Sequence, residues 1–296
     1  MKVRGERECQ SCGARWSYYD IGEVSCPECG SLRSVGVGSR RTHTDAPATL
    51  DLTPHRSQFG EAQGILPSAG VRDLKADLRA YLRRRGFIND GTLQPLDTTY
   101  LAARELLEAA DAYDRLVDPT DEDRAYLLAL LAGADDGDRP ETAAVPRTLR
   151  EARGMATVHA CSAYRDDLST FLDELSNTDG GAGDETGGAG GGGSTDADDD
   201  SRHIVADDDP GPAVTVEGTD PTARIRPARD RAETLHDRIK RVDALGGDVD
   251  PAVADALVDA ANALGEFVRT GDQRSLDRVD DLFADAATGG SERTQD

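Results

Sequence analysis

Residues 9–29 read CQSCGARWSYYDIGEVSCPEC, and the reading of the 296-residue chain starts from them. Cys9 and Cys12 form one C-x2-C pair and Cys26 and Cys29 a second, with thirteen residues between the pairs. Each pair turns tightly enough to aim two thiolates at one point, and the intervening chain makes a hairpin that brings the pairs together. Gly13 and Gly30 follow the second cysteine of each pair. A residue free to take positive φ there lets the turn close with its amides facing the sulfurs. The pattern predicts a zinc ribbon with one structural Zn2+ on Cys9, Cys12, Cys26 and Cys29. Four thiolates at about 2.3 Å complete a tetrahedral shell and leave no position for an activated water. A C-x2-C pair also marks thioredoxin-like redox sites, but that motif needs a βαβ context, and two neighbouring pairs fit a metal better. A rubredoxin-type iron site uses the same ligands, and the residues alone do not separate iron from zinc. The segment is too small for an apolar core, so metal would supply most of its folding free energy.

CQSCG and CPECG, followed by SLRSVGV, resemble the zinc ribbons of TFIIB-type proteins and related archaeal ribbon proteins over residues 5–40. In that family the ribbon is a small β module that docks on a larger protein, RNA polymerase among them. Only Cys9, Cys12, Cys26 and Cys29 carry over, as metal ligands. The general transcription factor follows its ribbon with two related cyclin-like helical repeats, and no repeat relates residues 65–175 to 220–288. The whole chain is more similar to haloarchaeal TFIIB-type zinc-ribbon-containing proteins.

The formal net charge is −23, with 57 Asp and Glu. Lys occurs only at Lys2, Lys75 and Lys240. An acidic surface, scarce Lys and few aromatics resemble a cytoplasmic protein of a halophilic archaeon, in which dense carboxylates keep the surface hydrated. A charge bias shared by a whole proteome identifies no partner. Residues 1–10 lack the apolar stretch of a signal peptide, and no apolar run approaches the ~20 residues of a membrane span. A reducing cytoplasm, with no membrane association, is the expected setting, and it keeps the thiols free for metal.

The expected fold is mainly α with a small N-terminal β zinc ribbon. The ribbon takes residues 1–42, with seven basic against five acidic side chains, formally +2. Residues 43–66 read as a connector in which His43 and His55 sit on a solvated loop. Residues 67–175 read as a bundle of four helices. Ser68 opens the first of these. Asn89-Asp90-Gly91 marks a turn after a short strand, Asp97 caps the second helix and Thr120 opens a third. Pro146 serves as the first residue of a long fourth helix with Val158, Cys161, Tyr164, Leu168, Phe171 and Leu175 as its buried stripe. Residues 176–219 hold eleven Gly and eleven acidic residues against one Arg, which predicts a disordered linker. Residues 220–288 predict a three-helix bundle. Gly246-Gly247, Asp250-Pro251 and Gly271 punctuate it, and it is small enough to depend on the first bundle or a partner. Residues 289–296 form a disordered tail. The sequence does not set whether the two helical units pack together, and the helices are expected to have a core separate from the ribbon.

Two surfaces invite a functional reading. Trp16 and Tyr18 alternate on one strand face. They either pad a coreless ribbon or, with Arg15 and Arg33, form a partner surface. Arg79, Arg83, Arg84 and Arg85, beside Arg72 and Lys75, make one helix formally +4 against Asp73 and Asp77. Favourable placement at the helix C-terminus plus ion pairs with acidic neighbours is preferred over phosphate contact. Cys161 and His159 are two apart on a helix, share no face, and make a poor nucleophile–base pair. No Ser/His/Asp set, Walker motif or paired-carboxylate site stands out. The sequence therefore reads as a non-enzymatic zinc-ribbon adaptor with a protein partner, the transcription machinery being the one the resemblance implies. A nucleic-acid-binding protein using the ribbon and the Arg-rich helix 71–85 is the alternative.

Overall fold

The computed structural model describes residues 1–60, 68–179 and 221–288. The small strands are β1 (Lys2–Val3), β2 (Glu6–Cys9), β3 (Arg15–Ser17), β4 (Ser34–Val37), β5 (Arg41–Thr42), β6 (Ile88–Asn89) and β7 (Thr92–Leu93). The helices are α1 (Tyr18–Ile21), α2 (Thr53–Gly60), α3 (Ser68–Arg84), α4 (Thr98–Tyr113), α5 (Asp121–Gly133), α6 (Arg150–Asp179), α7 (Pro221–Ala244), α8 (Pro251–Thr270) and α9 (Gln273–Thr288). The architecture is mainly α with a β ribbon at the N-terminal end. Most of the predicted 176–219 linker and the whole 289–296 tail lie outside the described residues; residues 176–179 continue α6. Among the described residues no helix is long and apolar enough to cross a membrane.

Local chemistry sets many boundaries. Asp97 caps α4 by accepting from the Tyr100 amide at 2.7 Å. Thr120 and Asp123 form a reciprocal capping box on α5. Asp250 caps α8 with Pro251 as its first residue, and Gly271 ends that helix in the left-handed region. Asp90 and Gly91, both at positive φ, make the two-residue turn between β6 and β7. Pro146 does not start α6; it precedes a 3-10 turn over Arg147–Leu149, and α6 begins at Arg150.

The two helical units expected from the sequence share one core. Buried side chains from Leu50 to Phe283 form a single cluster, and α6 packs against α4, α7 and α8. Phe87 stacks edge-on against both Tyr100 and Tyr164, with ring centroids 5.1 Å apart in each pair. Backbone meets backbone between α6 and the α7–α8 turn. A Cβ on Gly154 would lie 2.1 Å from the Gly247 carbonyl oxygen, so only glycine admits this contact. The sequence left this packing open because helical periodicity reports that a face is apolar and not which other face covers it.

A buried ion network crosses the same junction. Glu105 of α4 is fully buried, and Arg153 of α6 is 4% exposed. The Arg153 guanidinium donates to Glu105 at 3.1 Å and to Asp255 of α8 at 2.7 Å. Arg139 also donates to Glu105, at 2.6 Å, and so does the Tyr126 hydroxyl. Two carboxylates face two guanidiniums, so the charges balance.

Residues 43–60 of the connector are more structured than expected, and its residues 61–66 lie outside the described residues. Thr44 and Ala46 donate their amides to the carbonyls of Ile88 and Arg84, at 2.9 and 2.8 Å. Leu50, Leu52 and Phe59 enter the core, and residues 53–60 form α2. His43 and His55 are 7% and 5% exposed rather than solvated. The His43 ring lies 4.4 Å from that of Tyr19, and burial pushes its pKa down. His55 on α2 meets Asp77 of α3 at 2.9 Å. Both were misread because a loop without apolar period can still be buried by what packs over it.

Replacing Arg153 by Met leaves Glu105 and Asp255 to share Arg139, one carboxylate in excess in a buried network, and the expected loss of unfolding free energy is about 3–5 kcal/mol, read by denaturant titration. A fragment ending at residue 179 lacks the cover that α7 and α8 give to α6. It is expected to bind a hydrophobic dye and to lose the cooperative melt of the full chain, which calorimetry and dye fluorescence check.

Candidate metal centre

β2 pairs antiparallel with β3 on one side and β4 on the other, in the order β3-β2-β4. This sheet carries Cys9 at the end of β2 and sets Ser34, just after the second pair of cysteines, across from it. Each cysteine pair then forms the same knuckle. The Cys9 amide donates to the Ala14 carbonyl at 2.8 Å and the Gly13 amide to the Cys9 carbonyl at 2.9 Å. The Cys26 amide donates to the Ser31 carbonyl at 2.9 Å and the Gly30 amide to the Cys26 carbonyl at 2.8 Å. Gly13 and Gly30 have φ of 76° and 69°, the left-handed conformation that the spacing required. The hydroxyls of Ser11 and Ser31, one from each knuckle, lie 2.9 Å apart.

The four sulfurs converge, all lying within 4.8 Å of one another. Across the two knuckles Cys9 Sγ is 3.7 Å from Cys29 Sγ, and Cys12 Sγ is 3.6 Å from Cys26 Sγ. A tetrahedron of metal–sulfur bonds of about 2.3 Å sets its sulfurs about 3.8 Å apart. The cluster therefore fits one metal ion in the manner of a zinc ribbon. Cys9 and Cys26 are buried, Cys12 and Cys29 exposed, so the site lies at the surface with one wall of protein.

The thiols resist carrying four charges together. The Ser11 amide, which donates to the Cys9 sulfur at 3.4 Å, holds the Cys9 pKa down at about 6. Cys12 is pushed up to about 12: the Ala14 amide favours its thiolate, but Cys29 and Cys26 beside it outweigh that. Cys29 is raised too, with burial, Cys9 and Cys26 opposing the help of the Ser31 amide. A divalent cation removes this repulsion by displacing the protons.

Trp16 lies under the site, 6% exposed and packed with Cys9 and Cys26, and its indole N–H donates to the Glu23 carbonyl at 3.2 Å. It pads the ribbon, and it does not share a strand face with Tyr18. β3 ends at Ser17, and Tyr18 opens the single turn of α1, which Gly22 closes at φ 74°. Tyr19 is buried, its ring over Gly5, and its hydroxyl donates to the Val3 carbonyl at 3.2 Å. Arg15 is exposed and pairs with Glu8 across the β2–β3 ladder at 2.6 Å. Arg33 is exposed just before β4. The sequence period could not show which way Trp16 turns, because a ribbon has no second layer to define inside and outside.

The Arg-rich run is largely taken up by pairing. Arg79 meets Asp111 of α4 at 3.2 Å, and Lys75 meets Asp111 and Asp114 at 2.7 and 3.0 Å. Arg84 donates to the Pro47 carbonyl. Arg85 reaches Asp45 at 2.8 Å and Asp97 at 3.3 Å. Arg83 is exposed. Cys161 is fully buried with its thiol toward the Leu257 carbonyl, and burial pushes its pKa up to about 12. His159 turns away to Glu108 at 3.0 Å. A polar recess lined by Arg139, Arg153 and Asp255 belongs to the balanced ion network described above. Sequence reading passed over that network because Glu105 and Asp255 look like any other of the 57 acidic residues.

Cys12→Ser is expected to abolish metal binding and to expose the amides of β2–β4 to solvent exchange. The helical core should still melt cooperatively, because the Cys9, Trp16 and Cys26 cluster is separate from it. Elemental analysis and hydrogen exchange check both halves. Metal affinity should fall as pH falls, since each thiol must lose a proton to bind. A chelator competition run across pH measures that slope.

The chain was compared with known proteins. One family model matches it over residues 1–186 and 217–283 and is described as a family of unknown function. No curated protein and no solved structure matches the chain. The likeness to TFIIB-type ribbons therefore rests on the cysteine motifs and the residues beside them. Since the family model takes in the ribbon and nearly all of both helical segments, the chain belongs to this family of unknown function, DUF7117.

Proposed function

We propose that the cluster is a structural zinc site and that the ribbon is a docking module carried by a non-catalytic helical body, which makes the protein an adaptor. Two observations support this. The four-thiolate shell is closed, so a bound zinc would hold the knuckles and offer no reacting position. The ribbon also exposes aliphatic side chains while its own tryptophan is used internally. Ile21, Val24, Leu32 and Val35 are 42%, 47%, 76% and 41% exposed, and all fall within residues 21–35. Leu32, directly after the second knuckle, is the observation that carries most. A large aliphatic side chain held out by a rigid metal-bound turn suits a protein partner better than water.

The transcription machinery is the partner that the ribbon's resemblance suggests, and a reducing cytoplasm, saline and archaeal by the composition, is the proposed setting. The nucleic-acid reading of helix 71–85 is less well supported, because Arg79, Arg84 and Arg85 are engaged with Asp111, Pro47, Asp45 and Asp97.

Purified under reducing conditions without chelator, the protein should carry about one zinc per chain. Iron in its place would replace the zinc reading with a rubredoxin-type one. Affinity capture from source cells at native salt should recover a partner protein with wild type and lose it with Ile21→Ser/Leu32→Ser, zinc content and melting being unchanged. Full retention of every partner by that variant, or recovery of nucleic acid alone, would overturn the docking reading.

A further inference from the structure

The ribbon carries a groove of ≈ 610 Å³ between β1, the bend at Arg4, α1 and β4. Its lining includes Lys2, Arg4, Arg7 and Arg40 and no acidic residue. In a chain of net charge −23, four cations around one groove with no carboxylate among them run against the composition. Lys2 is paired with Glu174 at the end of α6, at 3.0 Å. Arg7 is held against β4 by donating to the Ser34 hydroxyl, at 3.1 and 3.0 Å from two of its nitrogens. Arg4 and Arg40 are exposed and make no hydrogen bond or ion pair among the described residues. Both guanidiniums are free to take an oxyanion, and each presents a planar fork of donors.

The rest of the wall selects among oxyanions. Val3 and Val24 offer aliphatic surface, and Tyr18 is half-buried. A nucleic-acid strand seeks aromatic platforms and polar groups at base edges, and this groove has one tyrosine and two valines. A strand dense in phosphates would also meet the field of the whole acidic chain, whereas a short peptide carries few charges to be repelled. Val24 is at the same time one of the exposed aliphatics assigned to docking, so groove and docking face are continuous.

We propose that this groove binds an acidic peptide segment of a partner protein. Its carboxylates pair with Arg4 and Arg40, and an aliphatic side chain lies against Val24 and Tyr18. The inference rests on the reading of the ribbon as a docking module and names the chemistry of what docks.

The test uses the full, metal-loaded chain and fluorescence anisotropy. Three labelled probes are compared: a peptide of Glu and Asp alternating with Leu, its Gln/Asn counterpart, and a single-stranded oligothymidylate of similar length. The acidic peptide should bind and the neutral one should not. Binding should weaken as salt rises from about 50 to about 500 mM, as charge screening shortens. Arg4→Gln/Arg40→Gln should lower affinity about tenfold or more, in line with losing charge pairs at an interface. Arg115→Gln, exposed just past the end of α4 and outside the groove, should leave affinity unchanged, and metal content and melting should match wild type in both variants. Absence of acidic-peptide binding, an equal loss with Arg115→Gln, or tighter binding of oligothymidylate than of the peptide would each overturn the proposal. In the capture experiment, a partner lost with Ile21→Ser/Leu32→Ser but kept with Arg4→Gln/Arg40→Gln would leave the docking reading standing and remove this one.

Discussion

Arg153 holds this structure in register. It sits on α6 at 4% exposure, between a fully buried carboxylate on α4 and a second one on α8. A charge that deep must keep its partners, because separating them leaves an ion in a medium that cannot solvate it. Helices α4, α6 and α8 therefore move together. The apolar core alone would tolerate some sliding of one helix on another, since Ala, Leu and Val surfaces are alike along much of their length. The guanidinium, with fixed fork geometry, does not. The Gly154–Gly247 contact has the same consequence through sterics, because only one register brings two glycine backbones together there.

The ribbon is fastened to this body by directed bonds. The strand leaving β5 continues beside β6, where the Thr44 hydroxyl and the Phe87 amide both donate to Asp167 of α6, at 2.7 and 2.6 Å. Asp45 accepts from the Gly86 amide at 3.1 Å and from Arg85 at 2.8 Å. Lys2 and the Thr42 hydroxyl meet Glu174. Asp167 and Glu174 of the body thus accept from Thr44, Lys2 and Thr42 of the N-terminal segment, whereas the Asp45 contact runs the other way, to donors of the body. Arg85, just past the end of α3, is engaged in this junction, while Lys75 and Arg79 of α3 pair with Asp111 of α4. A metal site held this way presents its knuckles in a fixed direction, and fixed presentation lowers the entropy cost of docking.

The cysteine cluster and many helix limits were legible in the sequence. Cysteine spacing fixes how far apart sulfurs can be, and two glycines at positive φ fix how the turns close; both are properties of a few consecutive residues. The same locality made Asp97, Thr120, Asp250, Gly271 and the Asp90-Gly91 turn readable, because a cap or a turn is satisfied by its own neighbours. The buried stripe of α6 was readable too: Val158, Cys161, Tyr164, Leu168, Phe171 and Leu175 are all in the core.

What only the tertiary structure decided is which surfaces meet. The period of α6 showed an apolar face and could not show that α7 and α8 cover it across a long intervening segment. His43 and His55 looked like loop residues because burial by a distant element leaves no trace in their neighbours. Trp16 was ambiguous because in a module without a core the inside is defined by where the sulfurs converge. With carboxylates this abundant, no arginine's partner can be read along the chain. Local geometry is written in consecutive residues, whereas contact between distant ones is settled only when the chain closes on itself.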